Sequence, residues 1–168
     1  ENIYKLEPGS ILSVNLNRET NIQKYWQLGN YISEKHNTKI NEKEFINEID
    51  DLIHDSVRQR MLADVPIGCF LSGGIDSSLV ASIMQKNSTS KINTFTIGFK
   101  ESNYNEAIYA KKIAEYLNTN HNEFYFSDRE ALDVIPNISS IYDEPFADSS
   151  QIPTYILSKF TGNNVKVS

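Results

Sequence analysis

The spacing of the hydrophobic residues switches repeatedly between two periods along most of this chain. Short apolar runs with the length of buried strands occupy residues 67–71, 92–99 and 121–126. Between them, apolar residues recur at helical spacing over 76–85 and 106–117. Val165 and Val167 begin a further alternation near the end of the sequence. Strands that alternate with helices of this length form parallel sheets. We therefore predict an α/β fold, a parallel sheet with helices on both faces, whose fourth strand begins at Val165.

Polar residues at the ends of the apolar segments predict where helices start and stop. Asn41 is expected to cap a helix that runs to about residue 62, with Glu44 completing a capping box. Ser127 and Glu130 have the same spacing before the next helical segment. Pro136 lacks the backbone N–H that a continuous helix needs, so we expect it to break or kink that helix.

Helical spacing also predicts which side chains face the core. In the helix over 76–85 we expect Leu79, Val80 and Ile83 to point inward. The helix over 106–117 is expected to bury Ala107, Ala110, Ala114 and Leu117.

The first part of the chain has a different pattern, typical of a β-hairpin followed by a linker. A strand, a turn and a second strand are expected over residues 3–6, 7–10 and 11–16. Within the second of these strands, apolar and polar residues alternate with the period of a half-buried strand. The polar segment 27–39 is predicted to be a linker. We therefore divide the chain into residues 1–38 and 39–168.

The composition indicates a folded protein with an acidic balance. The 168 residues are 39% hydrophobic and 23% charged, which suits one ordinary domain with a small attachment. There are 16 basic and 22 acidic residues, for a net charge of -6. This balance does not favour binding to a phosphate backbone, so we expect no nucleic-acid partner. No segment approaches the length of a membrane span and the N-terminus has no apolar signal core. We expect a cytoplasmic protein without membrane contact.

The turn after the first apolar strand has the chemistry of a phosphate-binding loop. It reads Ser72-Gly73-Gly74-Ile75-Asp76-Ser77-Ser78. Glycines permit positive φ and close backbone approach, so successive N–H groups can point at one anion. The helix that follows adds its unpaired N–H groups and the positive end of its dipole. The hydroxyl groups of the three serines can also donate hydrogen bonds, and together these groups predict a phosphate cradle.

Asp76 needs an explanation of its own, since a carboxylate inside an anion cradle is repulsive. A Mg²⁺ ion shared between Asp76 and phosphate oxygens would remove that repulsion. The alternative is an ordinary Ser/Gly turn in which Asp76 caps the helix. The loop has no lysine after its glycines, so it does not match the P-loop of other nucleotide-binding proteins.

The hexapeptide from Ser72 to Ser77 resembles the signature of the ATP pyrophosphatases, the PP-loop enzymes with an adenine nucleotide α-hydrolase-like fold. These enzymes cleave ATP between its α and β phosphates, and relatives use this loop to hold the departing pyrophosphate. Further stretches resemble glutamine-hydrolysing asparagine synthetases in particular, and they follow the order found in that family. These stretches are Leu6-Glu7-Pro8-Gly9, Tyr25-Trp26, Asp64-Val65-Pro66-Ile67-Gly68, Tyr104-Asn105-Glu106-Ala107, Asn120-His121-Asn122-Glu123 and Asp143-Glu144-Pro145-Phe146-Ala147-Asp148-Ser149-Ser150.

This resemblance implies roles for individual residues. Leu71 and Ile97 would lie against the adenine and ribose of ATP, and Asp76 would bind the metal. Glu144 falls where the family has a second acidic ligand for metal or pyrophosphate, and Asp143 beside it is a further candidate catalytic residue. Some relatives carry a glutamate, proposed as the base that deprotonates ammonia, three residues before Glu144. Here that position is Ile141.

Several of these residues also have a purely structural interpretation. Asp143 and Asp148 are possible substitutes for the missing base, but Asp148 can equally cap a helix that starts near residues 148–150. His121 at a strand start is expected to be a hydrogen-bonded structural residue. Cys69 lies in an apolar run and is expected to be a buried thiol.

In the intact protein, the resemblance implies an ATP-dependent amide ligase. ATP would activate the side-chain carboxylate of aspartate as a β-aspartyl adenylate and release pyrophosphate. Ammonia from glutamine would then displace AMP and give asparagine, with ATP and Mg²⁺ as the required cofactors. The expected partners are small molecules, and the full-length protein could form a homodimer.

The resemblance also implies that the chain is part of a longer protein. Residues 1–38 would be the tail of a glutaminase domain plus a linker, and residues 39–168 the truncated first part of the ATP-binding synthetase domain. The internal Cys69 does not qualify as the N-terminal nucleophile of a glutaminase. The resemblance also implies a second Ser-Gly-rich nucleotide loop and a helical remainder beyond residue 168, so these residues alone are expected to be inactive. Alternatives are a β-lactam or peptide-cyclising synthetase that acts on another acid, and a non-catalytic ATP-binding domain.

Overall fold

The computed structural model of the protein describes residues 3–32, 41–100, 105–145 and 147–168. The chain divides into two units, Glu1–Ile46 and Asn47–Ser168, and each is described by itself. Most of the predicted linker, together with the predicted division at residue 38, lies outside the described residues.

The first unit contains the predicted hairpin, but its strands are shifted along the sequence. Strand β1 (Ser10–Val14) pairs antiparallel with β2 (Thr20–Lys24). The strand expected over residues 3–6 is absent, and β2 lies in a mostly polar segment for which no strand was predicted. Arg18 has a left-handed φ of 65° in the connecting turn. Asn15 stabilises this turn, because its side-chain oxygen accepts the Glu19 N–H at 2.9 Å. The geometry of this turn therefore determines how β1 pairs with β2, and the alternation of hydrophobic and polar residues does not predict that pairing.

The apolar side chains of this hairpin are exposed. Leu12, Val14 and Leu16 are 46%, 60% and 103% exposed, so the expected half-buried strand is not found. A two-stranded ribbon buries apolar side chains only when another layer covers one of its faces. A short 3₁₀ helix, Leu28–Asn30, follows the hairpin.

Helix α1 (Glu42–Arg60) begins where the sequence predicted. The Asn41 side chain accepts the Lys43 N–H at 3.2 Å, so Asn41 caps the helix through Lys43 and no bond between Asn41 and Glu44 is found. In the second unit, the α1 residue Val57 is buried in the core.

The core of the second unit is a parallel sheet of the predicted kind. Its strands are β3 (Gly68–Phe70), β4 (Asn93–Phe99) and β5 (Asn120–Phe126), which lie side by side in that order. Both pairings are parallel. Helices α2 (Ile75–Asn87) and α3 (Ala107–Leu117) connect the successive strands. The α/β prediction is thus confirmed from residue 67 onward.

Two hydrophobic clusters show that helices cover both faces of this sheet. One cluster joins Cys69 and Leu71 of the β3 segment to buried residues of α1, α2 and α3. The other joins Phe126 of β5 to the helices that follow it. These are α4 (Asp128–Leu132), α5 (Ile138–Ile141) and α6 (Gln151–Thr161).

The inward face of α2 differs from the prediction. Ile83 is buried as expected, but Leu79 and Val80 are 40% and 37% exposed. Ala81 and Met84 are buried instead. Helical spacing alone does not determine which face of α2 points toward the core. The small side chain of Ala81 allows α2 to approach its neighbours closely on the buried face. In α3, the predicted alanines at 107, 110 and 114 are all buried, whereas Leu117 is only partly buried against the same cluster.

The predicted helix boundaries after β5 are confirmed. The side chains and backbones of Ser127 and Glu130 bond reciprocally, which makes a complete capping box at the start of α4. Pro136 lies in a 3₁₀ turn, Ile135–Asn137, between α4 and α5. The missing N–H of proline therefore separates two short helices instead of interrupting one long helix.

The segment around Val167 lies beside β3, on the edge opposite to β4. It forms a single parallel bridge, Ile67 with Val167, in which the Gly68 N–H donates to the Val167 carbonyl at 2.7 Å. The predicted fourth strand is thus present only as a bridge. Since the chain proceeds outward from β3 to β5 and then returns to the other edge of β3, the order of the sheet reverses at β3. In open parallel sheets, ligands bind at the carboxyl ends of strands at such a reversal.

Among the described helices, none combines the length and the apolarity that a bilayer crossing requires.

Candidate functional site

The loop with the sequence Ser-Gly-Gly lies at the carboxyl end of β3, as predicted. The Leu71 N–H donates to the Phe95 carbonyl at 2.8 Å, which is the last bond between β3 and β4 before the chain leaves the sheet. Residues 72–74 then turn directly into α2. The loop is therefore held between a central strand and the amino end of a helix of 13 residues.

Gly73 is the residue that makes this turn possible. Its φ is +84°, a left-handed conformation that side chains disfavour. A Cβ atom at Gly73 would lie 2.7 Å from the Tyr109 Cβ and 2.9 Å from the Ala110 nitrogen, so the first turn of α3 packs against the bare backbone. At Gly74 an added Cβ would meet only the Ser72 hydroxyl oxygen, at 3.3 Å. The position of Gly73 therefore has no space for a side chain, whereas the position of Gly74 can accommodate a Cβ atom with a small adjustment of Ser72.

Serine hydroxyl groups stabilise the loop internally. The Ser72 and Ser77 hydroxyl oxygens lie 2.9 Å apart, and the Ser77 oxygen accepts the Ser72 N–H at 3.2 Å. The Ser72 oxygen also accepts the Gly74 N–H at 3.2 Å. The Ser78 hydroxyl donates to the Gly74 carbonyl at 2.5 Å. These bonds fix the loop before any ligand arrives.

Four backbone N–H groups of this loop and helix start are without an acceptor in the described part of the chain. They belong to Gly73, Ile75, Asp76 and Ser77. The first N–H groups of any helix lack partners within the helix, and an anion placed there satisfies them. The loop is therefore chemically suited to phosphate.

Asp76 lies in the first turn of α2, but it does not cap the helix. The capping position is occupied by Gly74, which has no side chain to accept a bond. The interpretation of Asp76 as a simple N-cap is therefore wrong. No hydrogen bond or ion pair within the described residues engages the Asp76 carboxylate, which leaves it available to a cation.

A cavity of about 360 Å³ lies beside the loop, at the ends of β3 and β4. Leu71, Ser72, Ser77 and Ile97 all line it, so the structure brings together four of the residues predicted for the nucleotide site. The sequence did not indicate the remaining lining residues, which are Phe70, Thr96, Phe99, Glu106, Pro153 and Leu157. Mixed apolar walls with a few hydroxyl groups are typical of small-ligand sites.

A second, larger cavity of about 990 Å³ is lined mainly by apolar residues of α1, α2 and β3. Asp76 lines this cavity, whereas Ser77 lines both. The start of α2 therefore lies between the two cavities. The smaller cavity contains the hydroxyl groups and the ends of two strands, so we assign the candidate site to it.

The acidic stretch that was predicted to contribute a second metal ligand lies between α5 and α6. Asp143 and Glu144 occupy the bend after α5, and neither lines the cavity beside the loop. Phe146 lies outside the described residues. No group of three or more carboxylate, imidazole or thiol side chains that could hold a metal occurs in the described part. Asp76 and Glu144 as metal ligands therefore stay predictions. A Mg²⁺ ion shared with phosphates needs only one or two carboxylates.

Asp148 has a structural role in the turn before α6, but it does not cap the helix, because the N-cap position is occupied by Ser150. One of its carboxylate oxygens accepts the Ser150 N–H at 2.8 Å, just before α6 begins. This bond lowers the pKa of the Asp148 carboxyl. A carboxylate with a lowered pKa is a weaker base, so the geometry does not favour Asp148 as the group that deprotonates ammonia.

His121 and Cys69 are both accounted for by packing. The His121 Nδ1 lies 2.9 Å from the Thr94 hydroxyl oxygen, which lies 2.8 Å from that of Thr119. Burial lowers the pKa of His121. It lies near the amino end of β5, at the opposite end of the parallel strands from the loop. Burial raises the pKa of the Cys69 thiol to about 11, so it is not a reactive thiolate.

The sequence of the sheet unit matches a known protein family. Residues 48–168, which include the loop and all three parallel strands, match the sequence model of asparagine synthase. The chain belongs to the asparagine synthase family.

Several asparagine synthetases are similar to this chain. One from Methanocaldococcus jannaschii, whose provisional name is asparagine synthetase [glutamine-hydrolyzing] 2, is 40% identical over 99% of the chain. Asparagine synthetase [glutamine-hydrolyzing] 1 of Bacillus subtilis is 32% identical, also over 99%. The alignments cover only 32% and 25% of these relatives, so the chain spans about a third or less of their length.

Two solved structures are similar to this chain over part of their length. The NH3-dependent NAD synthetase of Campylobacter jejuni is 16% identical, with a TM-score of 0.46 over 76% of this chain and 56% of its own. The NMN synthetase of Francisella tularensis is 17% identical, with a TM-score of 0.47 over 77% of this chain and 54% of its own.

The two glycines of the loop provide a matched pair of substitutions. We expect Gly73→Ala to destabilise the protein by about 2 kcal/mol or more, because left-handed strain adds to a collision with α3. Gly74→Ala, at an ordinary φ of -76°, should cost less than about 1 kcal/mol. Urea denaturation of both variants measures the difference. Equal destabilisation would show that the contact between Gly73 and α3 does not constrain the loop.

Proposed function

We propose that this chain contains the first part of the ATP site of a glutamine-dependent asparagine synthetase. The reaction of the full-length protein would convert aspartate, ATP and glutamine-derived ammonia into asparagine, AMP and pyrophosphate. The observation that carries the proposal is the loop at the end of β3, whose free N–H groups adjoin the cavity lined by Leu71 and Ile97. Membership in the asparagine synthase family supports the choice of amide formation over other reactions of ATP.

In this proposal the loop binds the phosphates of ATP that leave as pyrophosphate. The four free N–H groups donate hydrogen bonds to phosphate oxygens; they belong to Gly73, Ile75, Asp76 and Ser77. The Ser72 and Ser77 hydroxyl groups add further donors, while Ser78 orients the loop through the Gly74 carbonyl. Leu71 and Ile97 pack against the adenine and ribose, so that the α-phosphate is presented to the attacking carboxylate of aspartate. Such positioning, with donors fixed in advance, lowers the barrier to adenylate formation.

A Mg²⁺ ion, when bound, would neutralise the charge that develops on the departing pyrophosphate. The chemistry of the available groups fits this ion, because Asp76 offers a free carboxylate beside the cradle. We propose Asp76 as its ligand from α2 and Glu144 as a second ligand from the acidic stretch. Asp143 is proposed as a catalytic residue, and the base that deprotonates ammonia is left unassigned because Ile141 occupies the position used by some relatives.

We propose that residues 1–38 belong to the glutamine-hydrolysing part of the protein and to a linker, and that the synthetase domain begins at residue 39. Two observations support this division. The match to the family model begins at residue 48. The similarity to part of two asparagine synthetases, in contrast, extends over 99% of the chain. The hairpin of β1 and β2 would then contribute to a sheet of the glutaminase domain.

The exchange of radiolabelled pyrophosphate into ATP tests the proposed reaction in the full-length protein. Formation of an acyl adenylate is reversible, so we expect exchange that depends on aspartate and on Mg²⁺. Glutamate and asparagine should not replace aspartate. Exchange with another carboxylic acid but not with aspartate would identify a different amide-forming synthetase. Binding of ATP without exchange for any acid would identify a non-catalytic ATP-binding domain.

Replacement of the Asp76 carboxylate tests the proposed metal role. Asp76→Asn removes one charge and keeps the size of the side chain, so binding of ATP in the presence of Mg²⁺ should weaken about tenfold or more. Binding without Mg²⁺ should not weaken, because a repulsive charge has gone. Isothermal titration calorimetry with and without Mg²⁺ measures both affinities.

The matched control is Asp128→Asn, which removes an acidic residue from the first turn of α4. Asp128 does not line either cavity, so both affinities should stay at the wild-type values. An unchanged Mg²⁺ requirement in folded Asp76→Asn protein would show that Asp76 does not bind the metal.

A further inference from the structure

The cavity beside the loop carries one charge among its described lining residues, and that charge is negative. Six of the ten lining residues are apolar and three carry hydroxyl groups. Glu106 is the remaining one. No arginine or lysine lines this cavity in the described part of the chain, although the loop beside it is built to receive an anion.

Glu106 is not needed to start the helix that follows it. It lies immediately before α3, and its side chain makes no capping bond. The cap is provided by Asn105, whose side-chain oxygen accepts the Ala107 N–H at 3.2 Å. The described residues contain no basic partner for the Glu106 carboxylate. No ion pair within the described residues therefore offsets the charge of the Glu106 side chain.

The backbone connects Glu106 closely to the phosphate-binding loop. The Ala110 N–H donates to the Glu106 carbonyl at 3.2 Å. The same Ala110 nitrogen lies 2.9 Å from the point where a Cβ of Gly73 would stand. Gly73 is in direct contact with the first turn of α3, and Glu106 lines the same cavity as Ser72 and Ser77 of the loop. Charges within a Debye length of about 8 Å are only partly screened at physiological ionic strength.

A carboxylate in the wall of this cavity disfavours the binding of a polyphosphate whose negative charge no cation balances. Free ATP carries about four negative charges, and a nearby carboxylate raises the free energy of its bound state by Coulomb repulsion. A complex of ATP with a divalent cation carries about half that charge and experiences less repulsion. The repulsion therefore weakens the binding of free ATP more than it weakens the binding of the complex between ATP and the cation.

We infer that Glu106 is a specificity-determining residue that makes this site select the divalent-cation complex of a nucleoside polyphosphate over the free polyphosphate. The inference rests on the proposed function, since it requires ATP in this cavity. It assigns Glu106 a role distinct from that of Asp76. Asp76 would attract the metal complex, whereas Glu106 excludes the metal-free ligand.

The two roles predict opposite changes in binding. Glu106→Gln keeps the shape of the side chain and the Asn105 cap, and it removes the repulsive charge. We expect the affinity of the full-length protein for ATP in EDTA to rise about tenfold, with a much smaller change in excess Mg²⁺. Asp76→Asn should instead weaken binding in Mg²⁺. Calorimetric titration of ATP measures the affinity of each variant in EDTA and in excess Mg²⁺. The quantity compared between variants is the ratio of the affinity in EDTA to the affinity in Mg²⁺.

Glu115→Gln is the matched control, because it removes the same charge from the other end of α3. Glu115 is exposed and does not line the cavity beside the loop. Its ratio of affinities should equal that of the wild type. A Glu106→Gln ratio equal to the wild-type ratio, in protein with a native circular dichroism spectrum, would overturn the inference.

The wild type distinguishes this inference from the proposed function. If the wild-type protein binds ATP in neither condition, the proposed function fails and the role of Glu106 fails with it. If the wild type binds ATP and only the Glu106→Gln ratio is unchanged, the ATP site stands and Glu106 is not its selective element. A ratio that changes equally in Glu106→Gln and Glu115→Gln would show a general effect of net charge and would also overturn the inference.

Discussion

The close contact between Gly73 and the first turn of α3 is the constraint on which the candidate site depends. It joins the turn after β3 to a helix that follows β4, so the ends of two adjacent strands and two helices meet at one place. Because the contact leaves no space for a Cβ atom, and because φ is positive, only glycine is compatible with it. The hydroxyl bonds between Ser72 and Ser77 then hold the turn in the shape that leaves its N–H groups free. The contact of Gly73 with α3 and the serine hydrogen bonds therefore fix the position of these N–H groups before any ligand binds.

The pattern of charge around the loop follows from the same arrangement. Backbone N–H groups at the start of α2 provide a partial positive charge, Asp76 lies in the first turn of that helix, and Glu106 lines the cavity beside the loop. Under the proposed function, this site would favour phosphates that arrive with a divalent cation, since neither the backbone dipoles nor the hydroxyl groups can neutralise several negative charges. The acidic net charge of the chain is compatible with a nucleotide ligand because the attraction is local to the loop.

Much of the sheet unit could be predicted from the sequence because its signals are local. Apolar runs bounded by turns located all three strands, and the serine and glutamate of the α4 capping box located a helix start. The loop was recognisable because its residues are consecutive. Glu106, Pro153 and Leu157 were not, because they reach the cavity only after α3 and α6 pack onto the sheet. The hairpin strands were misplaced for a related reason. The turn at residues 15–19 depends on the left-handed conformation of Arg18 and on a hydrogen bond to the Asn15 side chain. The alternation of hydrophobic and polar residues predicts neither of these features.

Hydrogen exchange of the loop backbone, followed by mass spectrometry of the full-length protein, tests the central claim most directly. Pyrophosphate with Mg²⁺ should slow exchange in the peptide that spans residues 72–79, because the free N–H groups of Gly73, Ile75, Asp76 and Ser77 become hydrogen-bonded to phosphate. The peptide that contains His121, at the opposite end of the strands, should exchange at an unchanged rate. Unaltered exchange in residues 72–79 at saturating ligand, or protection confined to another segment, would contradict the assignment of this loop as the phosphate-binding site.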